Sequence, residues 1–137
     1  MEHVEVRRRM ERALEGRRLS PTSGEPLHDD ELPEGLQALV EVEGLEAACA
    51  AAVVLIEEEY KTLLWPPPLG IAVLRAVLDA GGDSARLLEV ACGYVSLFYQ
   101  ELDDTTDYGK AMMAGAAPGA RRAFADRLRG KLATLGP

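Results

Sequence analysis

The sequence predicts a mostly α-helical fold: a compact domain of about five to six helices with an irregular proline-rich loop near the N-terminus. Apolar residues recur at intervals of three and four along most of the 137-residue chain, which is the spacing of one helix face. No segment shows the convincing apolar–polar alternation of a half-buried strand. Glycines and prolines separate the periodic segments, as they do between helices.

Two predicted helices flank the proline-rich loop. The helical spacing of apolar residues over residues 3–15, ahead of Gly16, predicts the first helix. The loop then extends to about Pro33. A short helix follows and closes at Gly44, and its apolar residues are Leu36, Leu39 and Val40.

Three more helices are predicted in the middle of the chain. Apolar residues spaced over residues 48–63 predict a longer helix, which the sequence WPPP at residues 65–68 stops. The next helix ends at two glycines, residues 81–82, after which Asp83 is predicted to be the N-cap of its successor. The apolar residues of that successor extend over residues 87–102.

The last predicted helix begins near Pro118, and one of its sides carries Phe124, Leu128 and Leu132. A chain of this length fits one domain, so residues 1–137 are predicted to form a single domain with a helical bundle over residues 45–135. Cys49 and Cys92 lie in alanine-rich helical segments, where the prediction is two small buried hydrophobic residues.

Composition limits the classes of partner. With 23 acidic and 15 basic residues the net charge is −8, which opposes binding to phosphate backbones, so no nucleic-acid partner is expected. The longest apolar run, residues 45–56, is too short to span a bilayer, and the N-terminal residues do not resemble a signal peptide. We therefore expect an acidic protein that is soluble, intracellular and not membrane-spanning.

Charge is segregated along the sequence. Six arginines lie within residues 7–18, whereas residues 29–59 contain ten acidic residues and no basic one. The simplest interpretation is that both segments form solvated faces that partly pair with each other, with little net gain in stability.

The loop sequence SPTSGEPL, residues 20–27, has its own chemistry. Prolines fix two of its φ angles, Gly24 leaves one free, and three hydroxyl side chains can bond nearby backbone groups. Leu27 and Leu32 offer anchors to the core, so we expect the 19–33 loop to be ordered. An ordered loop loses little entropy on binding, which suits it to present a fixed surface to a partner.

Residues 6–40, VRRRMERALEGRRLSPTSGEPLHDDELPEGLQALV, resemble the C-terminal half of a U-box, the zinc-free relative of the RING domain. Met10 and Leu14 match buried positions of that family's helix. Its loop motif is matched by Ser20, Pro21, Pro26 and Leu27, and Ser23 stands where threonine is usual. The resemblance implies a protein partner of the ubiquitin system and a partner-binding set of Arg17, Arg18, Pro21, Ser23, Glu25 and Pro26. Only five residues precede Val6, where the family's first loop would lie, so ligase activity is not expected.

A second motif, FYQELDDTTDYGK at residues 98–110, is rich in acids. On a helix, Asp103 and Asp107 would lie on one face about 6 Å apart, a spacing at which carboxylates repel unless a cation or a cap relieves them. This segment resembles the second aspartate-rich motif of prenyl diphosphate synthases, which implies Mg²⁺ held by Asp103, Asp104 and Asp107 against a diphosphate. The same residues also fit a polar helix end and turn, or an exposed acidic docking patch.

The leading interpretation is a noncatalytic protein–protein interaction module whose rigid loop and first helix resemble a truncated U-box. No catalytic residue, metal or cofactor is assigned, because neither a phosphate-binding glycine loop nor a Ser/His/Asp arrangement is present. Two alternatives stay open. One is a Mg²⁺-dependent prenyl diphosphate-binding protein or a subunit of a prenyl synthase, and the other is an accessory subunit of a larger assembly.

Overall fold

A computed structural model describes residues 2–15, 31–62, 67–98 and 118–134. These residues form six helices and no strand, which confirms the predicted mostly α fold. In chain order the helices are α1 (Glu2–Glu15), α2 (Leu32–Glu43), α3 (Leu45–Thr62), α4 (Pro67–Asp79), α5 (Ala85–Phe98) and α6 (Pro118–Ala133).

The first two helices agree with their predicted spans, with one difference at the start of α2. This helix begins at Leu32, so Pro33 lies in its first turn and not at the end of the loop. The proline ring fixes a helical φ, and the N–H that proline lacks would have no helical partner there. Gly44 closes α2 as predicted, with a φ of 101° and an N–H that donates to the carbonyl of Val40 at 3.0 Å.

The proline cluster after α3 does more than stop a helix. Pro67 and Pro68 lie in the first turn of α4. Proline lacks a backbone N–H, but the N–H groups of a first turn have no acceptor within the helix, so no helical hydrogen bond is lost. Two of the prolines that were predicted to stop the preceding helix therefore also begin the next one.

The turn between α4 and α5 corrects the predicted N-cap. Because α5 begins at Ala85, the capping residue is Ser84 and not Asp83. The backbone N–H of Leu87 donates to the Ser84 hydroxyl oxygen at 3.2 Å, which satisfies one of the open donors of the first turn. Gly81, at a φ of 104°, supplies the left-handed conformation that reverses the chain after α4.

One hydrophobic core receives side chains from all six helices. Helix α1 packs against α2 and α3, α2 also packs against α3 and α4, and α6 packs against α4 and α5. Both cysteines are buried, as predicted. The predicted apolar side of α6 is buried as well. The largest fully buried side chains include Tyr94, Phe124, Met10, Leu14, Leu32 and Leu36.

The Tyr94 side chain of α5 lies directly against Gly70 of α4. A Cβ atom built on this glycine would lie 2.0 Å from the Tyr94 hydroxyl oxygen and 2.2 Å from its Cζ. Only a residue without a side chain fits opposite this fully buried tyrosine. Within the described part of the chain, no helix combines the length and the hydropathy needed to cross a bilayer.

Candidate functional site

The partner-binding residues predicted from the sequence fall in the connection between α1 and α2. All six lie outside the described residues: Arg17, Arg18, Pro21, Ser23, Glu25 and Pro26. The helices on either side of this connection are described. Leu14 in the last turn of α1 and Leu32 in the first turn of α2 are both fully buried. Both helices are therefore anchored in the core at the ends that face this connection.

The second predicted site also falls outside the described residues. Asp103, Asp104 and Asp107 lie between α5 and α6, and the structure describes neither their side chains nor their backbone. Among the residues that it does describe, no group of three or more histidine, cysteine, aspartate or glutamate side chains could hold a metal ion.

An ion pair joins the two helices that flank the predicted loop. The Arg9 guanidinium contacts the Glu43 carboxylate through two nitrogens, with Nη2–Oε1 at 2.5 Å and Nε–Oε2 at 3.4 Å. The side chains are 31% and 34% exposed, so water screens the pair only in part. Arg9 belongs to the arginine-rich segment and Glu43 to the acidic one, so the predicted pairing between these segments is confirmed at this position.

The pair shifts the titration of both partners. The hydrogen bond from Arg9 holds the pKa of the Glu43 carboxyl below its usual value, and the nearby charges of Arg9 and Arg12 act in the same direction. Burial of the Glu43 carboxyl acts in the opposite direction and raises its pKa. In return, the hydrogen bond to Glu43 raises the pKa of the Arg9 guanidinium. The pair thus favours the charged form of each group and links α1 to the last turn of α2.

The exposed edge of α1 carries charges of both signs. Arg8 and Arg12 are exposed, in agreement with the solvated face predicted for the arginine-rich segment, and Glu5 and Glu15 are exposed as well. Glu11 departs from that pattern, because it is only 8% exposed although it carries a carboxylate. The sequence gives no signal for its burial, since it lies one position past the apolar stripe that contains Met10.

A second cluster surrounds the turn of residues 79–84, which we call the 79–84 turn. Three arginines of α6 donate hydrogen bonds to it. Arg121 Nε bonds the Asp83 carbonyl at 3.2 Å, Arg122 Nη1 bonds the Gly81 carbonyl at 2.7 Å, and Arg129 Nε bonds Asp79 Oδ1 at 3.0 Å.

Two of these arginines bond backbone carbonyls of the turn itself, Arg129 bonds a carboxylate, and all three place positive charge just beyond the C-terminal end of α4, where the helix dipole favours it. The sequence analysis did not find this cluster. Its only sequence signal is the concentration of arginines in α6, which does not indicate which carbonyls they reach.

The same turn packs against the Cys49 thiol of α3. A Cβ on Gly82 would lie 2.9 Å from Cys49 Sγ, so glycine is needed for this contact. Burial raises the pKa of the Cys49 thiol, and the hydrogen bonds that it accepts from Ser84 and Asp83 oppose that rise only in part. A buried thiol that stays protonated is a weak nucleophile, so its geometry suits packing and not catalysis.

Comparison of the chain with protein-family models, with curated proteins and with solved structures found no match. What the chain does must therefore be inferred from its own residues.

Proposed function

We propose that the chain is a noncatalytic protein–protein interaction module. Its binding surface consists of the exposed side of α1 and the loop of residues 16–30, with Arg17, Arg18, Pro21, Ser23, Glu25 and Pro26 in contact with the partner. The resemblance of residues 6–40 to a U-box favours a partner from the ubiquitin system.

The observation that carries the proposal is the fixing of both helices beside the loop. Leu14 and Leu32 are fully buried on either side of it, and Met10 and Leu36 continue the burial one turn further into each helix. A binding loop is useful when its ends cannot move, because less conformational entropy is then lost on association.

The Arg9–Glu43 pair supports the same arrangement from the far end of α2. Close-packed buried side chains set the rotation of α1 against α2, and the two-point contact between guanidinium and carboxylate adds a polar contact in the same arrangement. The side chains that remain exposed on α1 are then presented in one orientation. They include Arg8 and Arg12, which lie one turn apart.

The chemistry of the described residues also suits binding better than catalysis. The Cys49 thiol is buried, and the Ser84 hydroxyl is occupied as an N-cap. Three of the four guanidiniums of α6 are bonded to the 79–84 turn. These groups serve the fold.

The proposal is tested by nuclear magnetic resonance titration of the ¹⁵N-labelled full chain with a panel of ubiquitin-conjugating enzymes. We expect saturable shifts concentrated in residues 16–30 and in the adjoining turns of α1 and α2. The double variant Arg17→Ala/Arg18→Ala should weaken binding, while Arg127→Ala, an exposed arginine on α6, should not. Absence of saturable shifts with every enzyme of the panel would remove the ubiquitin-system partner from the proposal.

A discharge assay separates binding from ligase activity. Because the resemblance covers only the C-terminal half of a U-box, we expect the chain to leave the rate of ubiquitin discharge from a charged conjugating enzyme unchanged. Autoubiquitination that is lost in Pro21→Ala would show a ligase and contradict the noncatalytic proposal.

A further inference from the structure

We draw no further inference here: the strongest candidate, the 79–84 turn where the buried Cys49 thiol and the arginines of α6 meet the N-terminal end of α5, rests on a lone cysteine and a helix N-terminus, with no second feature among the described residues that points to a ligand.

Discussion

At the scale of single residues, two close contacts of this protein require glycine, because neither leaves room for a Cβ atom. Gly70 and Gly82 lie where a Cβ would collide with Tyr94 and with the Cys49 thiol, respectively. The sequence predicted that Gly82 ends a helix, but it gave no sign of the contact with a cysteine 33 positions earlier. Such a contact depends on how two helices meet, and periodicity within one helix does not encode that.

Substitution of Gly70 by alanine should destabilise the fold. The new methyl group would lie 2.0 Å from the Tyr94 oxygen, and the fully buried ring has no open side to move toward. Overpacking of this kind costs about 1–3 kcal/mol. Gly130→Ala is the matched control, because a Cβ there meets nothing within 4 Å and alanine favours the helix by about 0.5–1 kcal/mol. Urea denaturation should therefore give opposite signs for the two variants, and equal signs would refute the Gly70–Tyr94 contact.

The Arg9–Glu43 pair should make stability depend on pH in the acid range. Because the pKa of Glu43 is lowered in the folded state, its contribution is present above the ordinary value of 4.5 and is lost as the pH falls through the folded value. Glu43→Gln should therefore reduce stability near neutral pH, by no more than about 1 kcal/mol for a pair exposed to this degree. The difference from the unchanged protein should disappear at low pH.

Glu46→Gln is the control for this measurement, since Glu46 is an exposed glutamate of the neighbouring helix α3. Thermal unfolding at several pH values would compare the two variants. If the difference between Glu43→Gln and the unchanged protein were the same at pH 3 and pH 7, the lowered pKa would be wrong.

At the scale of helices, periodicity predicted where elements lie better than it predicted how they begin. The spans of α1 and α6 and the closure of α2 at Gly44 agree with the sequence analysis. The starts of α2 and α5 differ from their predictions, and prolines predicted to stop α3 open α4, because proline and short polar residues suit both the end of a loop and the first turn of a helix. Which role such a residue takes depends on the hydrogen bonds that it makes in the folded chain, and these cannot be read from the neighbouring sequence.

The N-cap of α5 gives a direct test at this scale. Ser84→Ala removes the hydroxyl that accepts the Leu87 N–H and should destabilise the protein by about 0.5–2 kcal/mol. Asp83→Ala changes the residue that the sequence favoured as the cap, and it leaves that hydrogen bond in place. In chemical denaturation, Asp83→Ala should therefore reduce stability by less than Ser84→Ala does. Should Asp83→Ala cost more than Ser84→Ala, the capping role would belong to Asp83 after all.

At the scale of the whole molecule, the core was predictable and the surface was not. Phe124, Leu128 and both cysteines are buried as their neighbours in sequence indicate, because burial of a helix face follows from its apolar stripe. Pairing between the basic and acidic segments was predicted in general, yet the partners Arg9 and Glu43 were not. Long charged side chains reach many positions at similar free energy, so sequence patterns do not select the pair.

Two of the three interpretations of the acidic motif, the diphosphate site and the solvated turn, differ in what they require of the whole chain. A prenyl diphosphate site needs Mg²⁺ bound by Asp103, Asp104 and Asp107, and neutral side chains there would abolish ligand binding. A solvated turn needs no ligand. If the turn is solvated, replacing its acids would relieve a repulsion between carboxylates of about 0.2–0.5 kcal/mol per pair, and the stability of the fold would be nearly unchanged.

We expect the second behaviour, because the resemblance supplies one aspartate-rich motif where a diphosphate clamp needs two. Isothermal titration calorimetry of the full chain with Mg²⁺ and a prenyl diphosphate should show no saturable heat. The triple variant Asp103→Asn/Asp104→Asn/Asp107→Asn should melt within a few degrees of the unchanged protein. Asp29→Asn/Asp30→Asn, at the other pair of adjacent aspartates, controls for the general loss of negative charge. Saturable binding that the triple variant loses and the control variant keeps would establish the diphosphate site and displace the interaction module as the leading function.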